Sequence, residues 1–127
     1  MTNRANRILV VDDDELARME ISRCVEQQGY TVSVAEHGAE ALDMLRAQTF
    51  DLVVLDLLMP TMDGFEVLRR IKQNAALREI PVIVVTAVDD SQSAAKCIDL
   101  GAIDHLSKPV DSKLLAERLN AVLTSAS

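Results

Sequence analysis

Three short runs, residues 8–11 (ILVV), 52–55 (LVVL) and 82–85 (VIVV), are apolar at every position and rich in branched side chains. A strand with one wet face alternates, whereas these do not, so both of their faces must be covered, as in the central strands of a parallel sheet wrapped by helices. Two further runs do alternate. Tyr30, Val32 and Val34 are separated by Thr31 and Ser33, and residues 103–107 (IDHLS) mix polar with apolar, which is the pattern of edge strands.

Segments of helical period lie between these runs. Ala17, Ile21, Cys24, Val25 and Gln28 share one face before Gly29, and Ala41, Leu42 and Leu45 form a second stripe. Val67, Leu68 and Ile71 make a third, Ala94, Cys97 and Ile98 a fourth ending at Gly101, and Leu115, Leu119 and Val122 a fifth. Five strand-helix units with short connections require right-handed crossovers onto a parallel sheet, hence a three-layer α/β sandwich. Strands two and five at the edges fit the doubly wound, flavodoxin-like order 2-1-3-4-5, which places its switch point between strands one and three. Ligand chemistry is expected there, outside the carboxyl ends of the strands. The 127 residues suit one domain, with a core over about 7–123, and contain no internal linker, low-complexity stretch or expected output domain.

Composition narrows the function. Thirteen basic against twenty acidic residues give a net charge of −7, which argues against a binder of the nucleic-acid backbone. No apolar run approaches the length of a membrane span and no signal-peptide core precedes the first strand, so the expected setting is the cytoplasm, without a membrane partner. Cys24 and Cys97 fall in helical patterns and form no C-x-x-C pair, and they are expected to be buried, reduced and without chemistry.

The polar residues at the strand ends are more informative. Strand one runs into Asp12-Asp13-Asp14, which taken alone is a common way to cap a helix, and Asp14 is expected to do so. Asp56 follows strand three with no helix of its own to cap. Thr86 ends strand four, and Lys108 follows strand five. Each would be unremarked alone, but the fold gathers Asp12, Asp13, Asp56, Thr86 and Lys108 at one end of one sheet. Three carboxylates against one ammonium leave negative charge in excess, which a cation would relieve. An all-oxygen donor set with no His or Cys points to a hard ion, Mg²⁺ or Mn²⁺. Such a site beside a carboxylate and a lysine is equipped for phosphoryl transfer.

Residues 8–13 (ILVVDD), 54–60 (VLDLLMP), 62–64 (MDG), 81–87 (PVIVVTA), Gly101-Ala102 and Lys108-Pro109 resemble the receiver domain of two-component response regulators, chemotaxis regulators among them, in the same order and each at its proper strand end. The resemblance implies a phosphorelay protein in which Asp56 accepts a phosphoryl group from a sensor histidine kinase or a histidine phosphotransfer protein. It implies Mg²⁺ held by Asp13, Asp56 and the backbone carbonyl of Leu58, with Asp12 contributing through metal-bound water. Lys108 would pair with the phosphoryl oxygens, Thr86 would donate its hydroxyl once the switch is thrown, and the Ala87 N–H would help. Catalysis would be limited to the protein's own phosphorylation and dephosphorylation. Asp63-Gly64 supplies a turn into the third helix, Met59-Pro60 stiffens the segment after Asp56, and the Lys108-Pro109 bond is cis in the family. The signal would leave through helix four, strand five and helix five, about residues 91–123, toward a downstream protein or a second copy.

Other functions of this topology fit less well. A haloacid-dehalogenase-type enzyme needs a second Asp two residues after the nucleophile, where this chain has Leu58. A flavin module needs a phosphate-cradling loop where Asp12-Asp13-Asp14 would repel phosphate, and a nucleotide P-loop is absent. A degenerate receiver serving as a phosphorylation-independent scaffold is the remaining alternative. Two positions depart from the family. His105 stands where an aromatic switch ring, Tyr or Phe, is usual, and it can act as that ring, titrate near neutral pH, or sit solvated at the edge. Val110 stands where Phe is common, while His37 is expected on the surface away from the site.

Leu58 and Val88 flank access to the acyl phosphate. Both are apolar and cannot position an attacking water, so slow loss of the phosphoryl group is expected. Following phosphate release from the purified phosphorylated protein and its Leu58→Asn variant checks this, and rapid release insensitive to that change refutes it.

Overall fold

A computed structural model describes residues 6–59, 62–87 and 90–125; of the residues singled out above, Pro60 and Val88 lie outside these. The elements alternate: β1 (Arg7–Val11), α1 (Glu15–Gln27), β2 (Thr31–Ala35), α2 (Gly38–Ala47), β3 (Leu52–Leu55), α3 (Gly64–Gln73), β4 (Val82–Thr86), α4 (Ser91–Asp99), β5 (Asp104–Ser107) and α5 (Ser112–Ser125). All strand pairs are parallel, in the order β2-β1-β3-β4-β5 that the apolar runs predict.

The continuous apolar runs follow from the pleat. Successive residues of a strand point to opposite faces, so β1 sends Leu9 and Val11 to one side and Ile8 and Val10 to the other. One side packs on α2, α3 and α4 through Leu42, Leu45, Val67, Leu68, Ile71 and Cys97. The opposite side packs on α1 and α5 through Ile21, Val25, Leu115 and Leu119. Each such aliphatic side chain, fully buried, stabilises the fold by roughly 1.5–3 kcal/mol before entropy is counted. Both cysteines are buried and free.

Helix ends follow local chemistry. Asp14, Asp63 and Asp90 cap α1, α3 and α4, each carboxylate accepting from a backbone N–H three residues on. His37 caps α2 in the same way through Nδ1, 3.2 Å from the Glu40 nitrogen. Gly101, at φ +111°, closes α4 with its N–H on Ile98 while Ala102 donates to Cys97, the paired bonds of a left-handed C-terminal stop.

The edges depart most from the sequence pattern. β2 begins at Thr31 and leaves Val34 exposed while Ala35 is buried, and β5 begins at Asp104 with Ile103 exposed. Ile98, expected to face inward, is 48% exposed, and Gln28 is an exposed cap residue. At an edge, a helix covers only part of the strand, so apolar alternation overstates burial there.

Gly64 is the tightest point near the strand ends. A Cβ there would lie 2.5 Å from the Leu57 Cα and closer still to the Asp56 carbonyl oxygen. Alanine gains about 1 kcal/mol in a helix over glycine, but overpacking against backbone costs about 1–3 kcal/mol, and Gly64 lies at the first helical turn, where the gain is smallest. Gly64→Ala is therefore expected to lower the urea midpoint, and an unchanged or raised midpoint would contradict this packing.

Candidate functional site

The site is built by strand ends that stop in register. Val11 pairs with both Ala35 and Leu55, so the next residues, Asp12 and Asp56, emerge side by side across the switch point. The ladder runs one step past each strand. The Asp12 N–H donates to the Ala35 carbonyl at 3.1 Å, and the Asp56 N–H to the Val11 carbonyl at 3.0 Å. Both carboxylates are thus carried by backbone that the sheet holds. Both are buried, at 1% and 4% exposure, while Asp13 projects to solvent. Oxygens of Asp12, Asp13 and Asp56 lie within 4.8 Å of one another.

Lys108 enters from the far side of the sheet. Thr86 pairs with Ser107 in the ladder, and the Lys108 N–H donates to the Thr86 carbonyl at 2.9 Å, which fixes the root of the side chain. The Lys108-Pro109 peptide is cis. The ammonium reaches 2.7 Å from Asp12 Oδ2 and 3.2 Å from Asp56 Oδ2. Thr86 is fully buried at the end of β4, followed by the exposed Ala87. The exposed Leu58 donates its N–H to Asp56 Oδ1 at 3.3 Å. Asp12 Oδ1 accepts from the Asp14 N–H at 2.9 Å.

The electrostatics follow from burial. Desolvation pushes the Asp12 carboxyl above its ordinary range, and the charge of Asp56 adds to the rise, although the Lys108 and Asp14 hydrogen bonds oppose it. Burial by itself would lower Lys108, but its hydrogen bond to Asp12 and the charges of both acids outweigh that and hold the ammonium up. Hard oxygen donors in this number, with an acid strained by burial and a like charge, fit a small divalent cation.

All five residues singled out from the sequence stand at this end of the sheet, and Asp14 is the cap it was expected to be. His105 is half-buried on β5, beside Val84 in the ladder, and His37 lies at the start of α2. Sequence reasoning missed Arg18, whose guanidinium donates to the Asp12 carbonyl at 2.8 Å. The available signal was a cation near the start of a helix, where the dipole favours acids.

The chain belongs to the response regulator receiver domain family, whose pattern covers residues 8–120. It is 40% identical over 117 residues to the response regulator MprA of Mycolicibacterium vanbaalenii, covering 92% of this chain and 50% of that protein. The chain thus spans about half the length of the curated relatives it matches. Among solved structures it is similar to the signal receiver domain of a signal transduction histidine kinase from Syntrophus aciditrophicus, at 32% identity and a TM-score of 0.87, covering 95% of this chain and 92% of that one. The Vibrio cholerae chemotaxis protein CheY4 superposes with the same TM-score, 0.87, at 28% identity, covering 94% of this chain and 99% of that one. Among the described residues, no helix is long and apolar enough to cross a membrane.

Because the folded state holds the Asp12 proton more tightly than the unfolded chain, whose ordinary value is 3.8, stability contributed by this group falls as pH rises from 3.8 through the raised value. Asp12→Asn, in buffer without divalent cations, is expected to gain stability relative to wild type across that window. Urea unfolding of both proteins over a pH series measures the gap, and a gap that does not widen with pH overturns the assignment.

Proposed function

We propose that the chain is a phospho-accepting switch in a two-component relay, with Asp56 as the acceptor. The observation that carries this is the buried Asp56 carboxylate, held by sheet backbone beside Asp12 and Asp13 and facing one ammonium, Lys108. An oxygen of Asp56 attacks the phosphorus of a phosphohistidine on a sensor kinase or phosphotransfer protein. The P–O bond forms as the P–N bond breaks, and the imidazole leaves with the electron pair and takes up a proton.

Asp13, Asp56 and the Leu58 carbonyl would hold Mg²⁺, with Asp12 acting through bound water. When bound, the ion supplies positive charge against the phosphoryl oxygens and cancels the excess of carboxylates. Lys108 leaves Asp56 to pair with the transferred group, while Thr86 donates its hydroxyl and Ala87 its N–H. A groove lined by Leu16, Ile21, Pro109 and Val110, with Asp14 and Glu20 also on its wall, opens beside Lys108.

The phosphoryl group biases a two-state equilibrium that is read on α4, β5 and α5 by a downstream protein or a second copy. His105 replaces the usual aromatic ring on β5, so the rearrangement near α4 depends more on backbone movement than on rotation of that side chain. The receiver acts as one unit over about 7–123, and its setting is the cytoplasm.

Mass spectrometry of the protein incubated with acetyl phosphate, with and without Mg²⁺, tests this reading. A gain of one phosphoryl group that requires the metal and is lost in Asp56→Asn is the expected result. No adduct from acetyl phosphate or from phosphohistidine donors, despite Mg²⁺ binding, would make the scaffold reading the better one.

A further inference from the structure

We propose that Arg18 is a positioning residue that fixes the acidic loop between β1 and α1 in its metal-holding geometry; this rests on the function proposed above. Arg18 lies in the first turns of α1, and its side chain runs back toward the helix start, as helical side chains do. A cation there is opposed by the helix dipole, which favours acids at that end. The side chain is nonetheless only 13% exposed. A guanidinium removed from water must be paired to be tolerated.

Its two partners are unequal. The bond from Nη1 to the Asp12 carbonyl is 2.8 Å, the length of a charge-assisted hydrogen bond, whereas Nη2 lies 3.4 Å from a Glu36 carboxylate that is 67% exposed. An exposed pair of that length contributes little. The carbonyl is therefore the contact that accounts for the placement.

That carbonyl belongs to the peptide joining Asp12 to Asp13. The peptide unit is planar, so holding its oxygen also fixes the direction in which Asp13 leaves the sheet. The remaining polar groups of Asp12 are already committed: its N–H to Ala35, Oδ1 to the Asp14 N–H, and Oδ2 to Lys108. Arg18 secures the one group that leads toward Asp13, which is exposed and lies past the end of the ladder. It does so through a backbone carbonyl and not through any of the three carboxylates.

Calorimetric titration of MgCl₂ into wild type, Arg18→Met, Arg18→Gln and Glu36→Gln tests the assignment, with thermal melts of the cation-free proteins run alongside. Arg18→Met is expected to weaken Mg²⁺ binding about tenfold or more, the usual consequence of removing an outer partner of a metal ligand, while Glu36→Gln binds as wild type. With acetyl phosphate, Arg18→Met should need correspondingly more Mg²⁺ for half-maximal phosphorylation yet approach the wild-type rate at saturation, a split that general destabilisation would not produce. Arg18→Gln keeps a polar side chain too short to reach the carbonyl and carries the same expectation should Arg18→Met not fold. Unchanged Mg²⁺ affinity in a folded Arg18 variant, or a loss in Glu36→Gln as large as in Arg18→Met, overturns the proposal while leaving the acceptor role of Asp56 intact. Wild type that neither binds Mg²⁺ nor gains a phosphoryl group overturns both.

Discussion

One ammonium held between two buried carboxylates is the interaction around which this molecule is arranged. Lys108 spans from β5 to Asp12 and Asp56 at the ends of β1 and β3, and so ties together strands that are not neighbours in sequence. The pair of acids is not comfortable. Burial raises Asp12, Asp56 adds like charge, and a third carboxylate stands within 4.8 Å. Such a cluster persists because the surrounding structure over-determines it, and its excess negative charge is what a bound cation would relieve.

The over-determination comes from the sheet. Central strands apolar at every position are pinned on both faces, and the ladder bonds that continue past Val11 hold the main chain of Asp12 and Asp56 whatever their side chains do. Function is placed where this rigid scaffold ends and the connecting loops begin. Gly64 belongs to the same design. The start of α3 presses so closely on Asp56 and Leu57 that no side chain fits between them, and the Gly64 N–H donates to the Leu57 carbonyl at 2.9 Å.

The site at the carboxyl ends of the strands and the helix surfaces differ in how they treat charge. At the carboxyl end, acids are desolvated and share one lysine, whereas the ion pairs elsewhere, such as Arg69 and Arg70 with Glu66, lie on the helix surface and are solvated. The surface pairs leave the fold nearly indifferent to their loss. Changes at the carboxyl end are expected to weigh more on stability, because there the charges are buried.

Strand order, layer count and the five residues at the strand ends were legible in the sequence, for a physical reason. Uninterrupted apolar runs have only one environment in which they are stable, and the residue that ends such a run must stand at the rim. The cap Asp14 was legible as well, because capping is local chemistry between residues three apart, whereas Asp63 was read only as part of a turn and proves to cap α3. The exposure of Ile98, Val34 and Ile103 was not, since it depends on how far a helix reaches over an edge. Nor was the bond from Arg18 to Asp12, or the precise reach of Lys108, because these join residues brought together by packing and carry no periodicity along the chain. The sequence by itself determined which groups meet at the end of the sheet. Only the tertiary structure decided which of them are buried, which are paired, and which backbone oxygen a distant guanidinium holds, because burial and pairing are properties of the packed neighbourhood.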